Sequence, residues 1–364
     1  MSHPLVEPES AARAQGMLDK ARLLRAVRPA MVVQLLRMTA LACAARARAG
    51  RSPFSPTYAD RHPHLLAGEP AGGARPDAPY LRPTQECDSH AAPIVALARD
   101  LRRGAASDWE YAQSLFRFMT DEIVHGLESA PRDGVVGTLR RGYGICLDKL
   151  HLFVALARAG GLPARYCALR VDMRARRLAN LMAEGPPLFR IYARAFERLE
   201  REGDPGLRKL GTAARALVRH MESRIGKRGL EWDLTFHPIA EIDVGGVWIP
   251  TDPTLEQDIA AAFKLPLPRL GYVPMVLRLH AWVARRSEGL PLGRDARAAR
   301  WLVSRLGRGA IDYLNETLAE GRREGRRRLA DIGTAEYVWR YRHFYVPAAD
   351  LSPAGVSLPR VPAS

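Results

Sequence analysis

Lysine is nearly missing from this 364-residue chain: of 55 basic residues, only Lys20, Lys149, Lys209, Lys227 and Lys264 are Lys. The rest of the positive charge is Arg, spread along an Ala-rich sequence, which is the composition a GC-rich genome writes. The formal net charge of +16 is therefore poor evidence for nucleic acid, although it favours an acidic substrate or partner. The one dense run, Arg322 to Arg328, reads as a solvated helix face, and no helix-turn-helix, zinc-finger or RNA-sheet motif accompanies it. Cysteine is also scarce. Cys43, Cys87, Cys146 and Cys167 are too few for a disulfide scaffold and too scattered for a zinc site, which fits a reducing cytosol. Long apolar runs are lacking too. The best candidate, Met31 to Ala45, is short, carries Gln34 and Arg37, and stands too late for a signal peptide, so it reads as a buried helix. Gly and Pro have no period, which removes collagen-like and low-complexity readings.

What is present is an ordinary globular composition, 47% apolar and 26% charged, long enough for two domains or for one core with large additions. Ser10 to Val27 and Ala30 to about Ala49 read as helices. Residues 50–80 are rich in Pro, Gly and His and read as a linker or covering loop, in which His62 and His64 lack a third metal ligand. From Tyr80 the pattern tightens. Asp88 or Ser89 is expected to cap a helix bearing Ile94, Val95, Leu97, Ala98 and Leu101. Ser107 to Glu110 is a capping box for a second helix. A glycine-rich loop is expected over Gly134 to Ile145, then a helix from Cys146 to about Ala159, ended by Gly160 and Gly161. Leu162 to Leu169 reads as a strand, residues 171–230 as a charged helical stretch, and Trp232 to Thr254 as a hairpin around Gly245-Gly246. Beyond Pro266 the pattern is helical again and closes on an aromatic cluster, Tyr337, Trp339, Tyr341, Phe344 and Tyr345. Helices followed by antiparallel strands make the expected fold class α+β.

Cys146 carries the strongest chemical signal. It opens a helix directly after Gly142-Tyr143-Gly144-Ile145. A helix N-terminus favours thiolate through the macrodipole, and its free N–H groups are placed to hold an oxyanion. Gly142 and Gly144 would leave room for a substrate. Asp148 works slightly against the thiolate and Lys149 for it. A buried structural cysteine is the competing reading. In the hairpin, a Gly245-Gly246 turn sets Val244 opposite Val247, Ile242 opposite Ile249 and Ile239 opposite Asp252. His237 and Asp252 then lie diagonally on neighbouring strands, about 7–8 Å apart at the backbone, within reach of a His–Asp hydrogen bond. Glu241 and Trp248 would share that face, while Phe236, Ala240, Ile242, Val244, Val247 and Ile249 would form the core face. A thiol at a helix start and a His held by an Asp are the components of nucleophilic catalysis; a structural His–Asp pair is the alternative.

The stretch GYGICLDKLHLFVALARAGGLPARY resembles the transglutaminase-like cysteine superfamily, whose nucleophile follows a Gly-rich turn and opens a helix that exits through a similar Ala-Arg-rich segment. HPIAEIDVGGVWIPTDPT resembles the second half of that family's core, with the His, a Glu four residues on, a Trp and Asp-x-Thr in order. The resemblance covers about residues 80–260. It implies a papain-like α+β core in which Cys146 is the nucleophile, His237 the general acid/base and Asp252 its orienter. Two departures stand out: Ile239 replaces a frequent aromatic, and the long gap between Cys146 and His237 points to a helical insertion. Other candidates rank lower. His151 reads as a core histidine near the site, Cys43 and Cys167 as packed thiols, and His125 and His280 as structural or surface. Tyr143 reads as a cleft or turn residue, Trp248 as a channel wall or an aromatic packed beside the hairpin, and Arg165 as a partner for a carboxylate in the sheet.

The expected organisation is a helical N-terminal extension and linker over 1–79, a core over 80–265 with an insertion over 171–230, and a helical C-terminal extension over 266–364. The expected activity is acyl transfer: attack on an amide or thioester carbonyl through an acyl-enzyme, with hydrolysis or transfer to an amine. The alternative is a catalytically silent peptide- or protein-binding module. No cofactor and no metal are expected, and no EF-hand loop is present. The expected partner is a peptide, protein or small amide or thioester substrate, not nucleic acid or membrane, in the cytoplasm.

Overall fold

The computed structural model describes residues 79–127, 134–173, 230–262, 264–273, 281–290 and 308–341, with single helical positions at 197, 201 and 212. Helix α1, Ala92–Arg103, carries Pro93 in its first turn and buries Ile94, Val95, Leu97 and Ala98. Its N-cap is Ala91, not Asp88 or Ser89. The Asp88 carboxylate is instead engaged two residues on, accepting from the His90 N–H at 3.1 Å, so it caps a turn before the helix. Helix α2, Asp108–Asp121, is capped as expected at Ser107, whose Oγ accepts from the Glu110 N–H at 3.2 Å. The Glu110 carboxylate reaches back one residue further than a standard box, to the Ala106 N–H at 2.7 Å.

The glycine-rich stretch after α2 holds more regular structure than a loop. A short strand β1, Val124–His125, pairs in parallel with β2, Tyr143–Gly144, and helix α3, Gly134–Arg141, lies between them. Gly134 and Gly142 have φ of +56° and +70°, so these two glycines bracket the helix and do not dissolve it. Within α3, Val135 and Leu139 are buried and hold it against the core.

Helix α4, Cys146–Ala159, is the axis of the fold. Its residues from Leu147 to Arg158 are all buried, so it is covered on every side. It ends where expected. Gly161 takes φ +88°, and a Cβ on Gly160 would collide with the Tyr111 hydroxyl, which donates to the Leu156 carbonyl at 2.7 Å. The chain turns back as β3, Ala164–Met173, then continues after the interruption as β4, Leu230–Val244, and β5, Val247–Thr251. Helix α5, Gln257–Ala262, follows, and strand β6, Ala281–Ser287, closes an antiparallel sheet of order β5-β4-β3-β6. The β6 segment lies in the stretch expected to be helical. It takes the free edge of β3, pairing Ala168 with Arg285. Helices α6, Arg308–Ile332, and α7, Thr334–Arg340, complete the described chain.

The Gly245-Gly246 turn has φ of +63° and +86°, the geometry a two-residue hairpin needs. It sets Val244 opposite Val247 and Ile242 opposite Ile249, the register read from the sequence. Ala240, Ile242 and Ile249 enter the core with Ala164 and Tyr166 from β3 and Leu150 and Phe153 from α4. The expected N-terminal extension, apart from residue 79, and nearly all of the expected helical insertion lie outside the described residues. At the insertion's ends, residues 171–173 continue β3 and Leu230 opens β4.

Candidate active site

Cys146 is the first residue of α4 and half-buried, whereas Cys87 and Cys167 are buried; Cys43 lies outside the described residues. The turn before it is fixed by three contacts. The Asp148 carboxylate accepts from the Ile145 N–H at 3.3 Å, the Gly126 N–H donates to the Gly144 carbonyl at 3.1 Å, and Val124 N–H donates to the Gly142 carbonyl at 2.9 Å. The glycines here also answer to packing and backbone. A Cβ on Gly144 would stand 2.7 Å from the Asp148 Cβ, and Gly142 needs its positive φ.

The level of the sheet that Cys146 faces follows from one hydrogen bond. His151 Nδ1 lies 2.9 Å from the Tyr166 hydroxyl, and both residues are buried. Helix α4 and strand β3 run in opposite directions, joined by the tight Gly160-Gly161 turn. Cys146 is five residues before His151, about 7.5 Å along the helix axis. At about 3.3 Å per strand residue, that is two residues beyond Tyr166, the level of Ala168.

At that level the sheet is irregular. On β4, Ile239 pairs with Cys167 and Leu234 pairs with Leu169, so residues 235–238 together oppose Ala168 alone. His237 stands in this bulge, next to Pro238, which has no N–H to give a ladder. On its other side, β4 pairs regularly with β5 as far as Ala240 opposite Thr251. Asp252 follows directly, at the same end of the neighbouring strand. It is buried, and its Oδ1 accepts from the Thr254 N–H at 3.1 Å and the Thr254 hydroxyl at 2.6 Å. The topology therefore brings the start of α4, the bulge with His237 and the end of β5 to one level of the sheet.

A group of buried charges adjoins Cys146 and Asp252. Glu256 is fully buried. Its carboxylate takes the Arg322 guanidinium at 2.6 Å (Nε to Oε2) and 3.1 Å (Nη2 to Oε1), and the His125 N–H. Arg322 Nη2 also donates to the His125 carbonyl. Burial works against ionisation of Glu256, but Arg322, Lys149 and the His125 N–H outweigh it and hold the carboxyl below its ordinary range. Lys149, one turn after Cys146, is wholly buried. Burial pushes its ammonium down to about 8, against the pull of Glu256, Asp252 and Cys146 and with the push of Arg322. Asn315 of α6 clamps the adjoining loop, accepting from the Leu127 N–H at 2.8 Å and donating to its carbonyl at 3.0 Å.

Arg322 thus departs from the expected solvated face: it is buried, while Arg323 and Arg327 beside it are exposed. Glu256 and Arg322 carried no motif, and pairing a mid-chain Glu with a C-terminal Arg needs the fold. The spacing of Lys149 from Cys146 was visible in the sequence; its burial was not.

The lower-ranked candidates have these surroundings. His151 is the core histidine already described. Burial pushes the Cys167 thiol up, and His125 serves through its backbone. Trp248 stacks under Arg165, whose guanidinium carbon is 3.7 Å from the ring centroid, and meets Tyr80 edge-on. Arg165 pairs with Glu241 at 2.7 Å, and Arg286 joins at 2.8 Å. Tyr143 is half-buried, with Arg141 over its ring. His62, His64 and His280 lie outside the described residues. Among the described residues there is no group of three metal-ligating side chains, and no helix is long and apolar enough to cross a membrane.

Residues 95–197 match the family model of the transglutaminase-like superfamily. The match takes in α1 through β3 and includes Cys146; His237 and Asp252 lie beyond it. Over that segment the chain is similar to the transglutaminase-like superfamily, and the described helices followed by an antiparallel sheet make an α+β fold. No curated protein and no solved structure matches the chain.

Proposed function

We propose that this protein is a cysteine-dependent acyl-transfer enzyme, starting from its match to a superfamily made up largely of cysteine-dependent enzymes. The Cys146 sulfur attacks the carbonyl carbon of an amide or thioester. The carbonyl oxygen takes the developing negative charge beside the N–H groups that open α4. His237, holding the proton taken from the Cys146 thiol, gives it to the leaving amine or thiol as the C–N or C–S bond breaks, and Asp252 holds the His237 ring in orientation. A Cys146 thioester remains. Water hydrolyses it, with His237 now taking the proton, or an amine takes the acyl group. Hydrolysis of a peptide or amide is the favoured outcome.

The observation that carries this reading is convergence: Cys146 heads a fully packed helix at the level where β4 bulges at His237, and Asp252 directly follows the adjacent strand. Bulges are frequent beside active sites because they re-aim a side chain out of the ladder. The reading is tested with an activated acyl ester and peptide mass spectrometry. The acyl group is expected on Cys146, absent in Cys146→Ala, and slow to form in His237→Ala. An equal acyl load on Cys146 and Cys87, unchanged by His237→Ala, would leave a silent binding module as the better description.

A further inference from the structure

Lys149 presents an anomaly. Its side chain has no exposure to solvent, and its Nζ has no hydrogen-bond partner among the described residues. An ammonium brings three donors, and burying them unmet costs several kcal/mol unless nearby charge compensates. Among the described residues the usual reason for such a residue, a salt bridge, is missing. Glu256, the carboxylate that acts on it most strongly, has both oxygens engaged by Arg322 and the His125 N–H. A scaffold role would be met better by Met or Leu at this volume, which fill the same space without a charge.

The placement of Lys149 supplies a reason. Three residues after Cys146, it lies on the same side of α4, one turn in. The described charged groups acting on it are Cys146 from its own helix, Asp252 and Glu256 from the segment after β5, and Arg322 from α6. Arg322 and Glu256 offset one another. Lys149 remains as the positive charge set against the two candidate catalytic anions, the Cys146 thiolate and the Asp252 carboxylate. Arg322 and Asn315 tie the same place to the C-terminal helix, because His125–Leu127, which they hold, carries the backbone that pairs with Gly144.

Building on the acyl-transfer reading, we propose that Lys149 is a positioning residue of the Cys146 site. Its buried ammonium stabilises the thiolate and holds Asp252. The Arg322–Glu256 pair anchors it, so that helix α6 is part of the catalytic unit and not a dispensable extension. The role is electrostatic, through Cys146 and Asp252, and requires no contact between Lys149 and substrate. It explains why a charge is kept where an apolar side chain would pack, and why a mid-helix Gly325 lets α6 approach so closely. A Cβ there would collide with the Asp258 carbonyl of α5, two residues from Glu256.

The test compares wild type, Lys149→Met and Lys149→Gln in the full chain. The rate of iodoacetamide labelling at Cys146 is followed from about pH 5 to 9, a range spanning an ordinary thiol, and thermal melting is recorded alongside. In wild type, Cys146 is expected to label preferentially at low pH. Both substitutions should raise the midpoint of that profile by about one pH unit, giving about tenfold slower labelling at pH 6. Melting temperature should stay equal or rise in Lys149→Met. Lys149→Gln guards against a packing effect of Met, since the two share only the loss of charge. Preferential wild-type labelling with an unmoved profile in the variants would overturn the role of Lys149 and leave the nucleophile reading intact. A Cys146 that labels no faster than Cys87 in wild type would overturn both.

Discussion

Two buried glutamates, Glu241 and Glu256, are built on the same plan and reach opposite ends. Glu241 sits on the sheet face away from α4, held by Arg165 and by Arg286, whose Nε and Nη2 lie 2.8–3.1 Å from its oxygens. Both guanidinium groups keep part of their surface in solvent, and Arg165 spends its flat face on Trp248. Burial works against the Glu241 charge, but the two arginines hold its carboxyl below its ordinary range. Glu256 also holds an arginine, but in full burial, and its second charged neighbour is an ammonium without a hydrogen-bond partner among the described residues. The first cluster is saturated and has the character of a structural clamp. The second is unsaturated beside the candidate nucleophile. Buried polar groups that lack partners are uncommon in folded proteins and call for a specific reason. Here the unsaturated cluster is the one that adjoins Cys146 and Asp252.

The comparison is sharpest when the chemistry itself is removed. Cys146→Ala is expected to abolish acyl-enzyme formation, His237→Ala to slow it severely, and Asp252→Asn to lower its rate while leaving more activity. Turnover of a true substrate that survives Cys146→Ala would sink the mechanism. Glu241→Gln should leave the rate of acylation within about twofold of wild type, since Glu241 belongs to the clamp on the other face.

For stability, the largest effect belongs to Glu256. Glu256→Gln leaves Arg322 and Lys149 buried without their counter-charge and is expected to cost about 3–5 kcal/mol in denaturant unfolding. The same change at Glu241 leaves arginines that can turn towards water, and about 1–3 kcal/mol is expected. Equal costs at the two sites would erase the distinction between them.

A pH series separates the clusters further. Unfolded, Lys149 keeps its proton up to the ordinary value of 10.5; folded, it gives it up near 8. Between those values the unfolded chain binds more protons, so this group makes stability rise with pH. Burying the charge costs about 3 kcal/mol below the window, and that cost is relieved by its upper end. Unfolding measured at pH 8 and pH 10 should show that rise in wild type and its absence in Lys149→Met. The two glutamates act at the other end. Their folded carboxyls lie below 4.5, so they stabilise above that value, and the contribution fades as pH falls through the lowered range. The smallest effect is expected at Trp339, 58% exposed on α7, where Trp339→Ala should stay within about 0.5 kcal/mol.

Much of the fold around the site was legible because the signals are local. Ser107 and Glu110 cap a helix by their spacing, Gly160-Gly161 ends another, and Gly245-Gly246 sets the hairpin register to the residue. Strand β6 was missed because its pairing with β3 spans more than a hundred residues and no turn announces it. Helix α3 was missed because four glycines suggested a loop, whereas two of them only bracket it. For the site, the order of Cys146, His237 and Asp252 was visible and the bulge was not, because a bulge is a property of two strands together. The charge chain was hidden for the same reason. Arg322 looks like any other member of an arginine run until Glu256 is placed opposite it.

The most direct measurement is the pH dependence of Cys146 alkylation against Cys87 and Cys167 in the same folded sample. Burial raises the latter two, Cys87 to about 11, and provides an internal standard for an inert thiol. The expected result is labelling of Cys146 alone below neutral pH, slowed strongly in His237→Ala and moderately in Lys149→Met. Labelling of Cys146 only at high pH, indifferent to His237, would contradict the account.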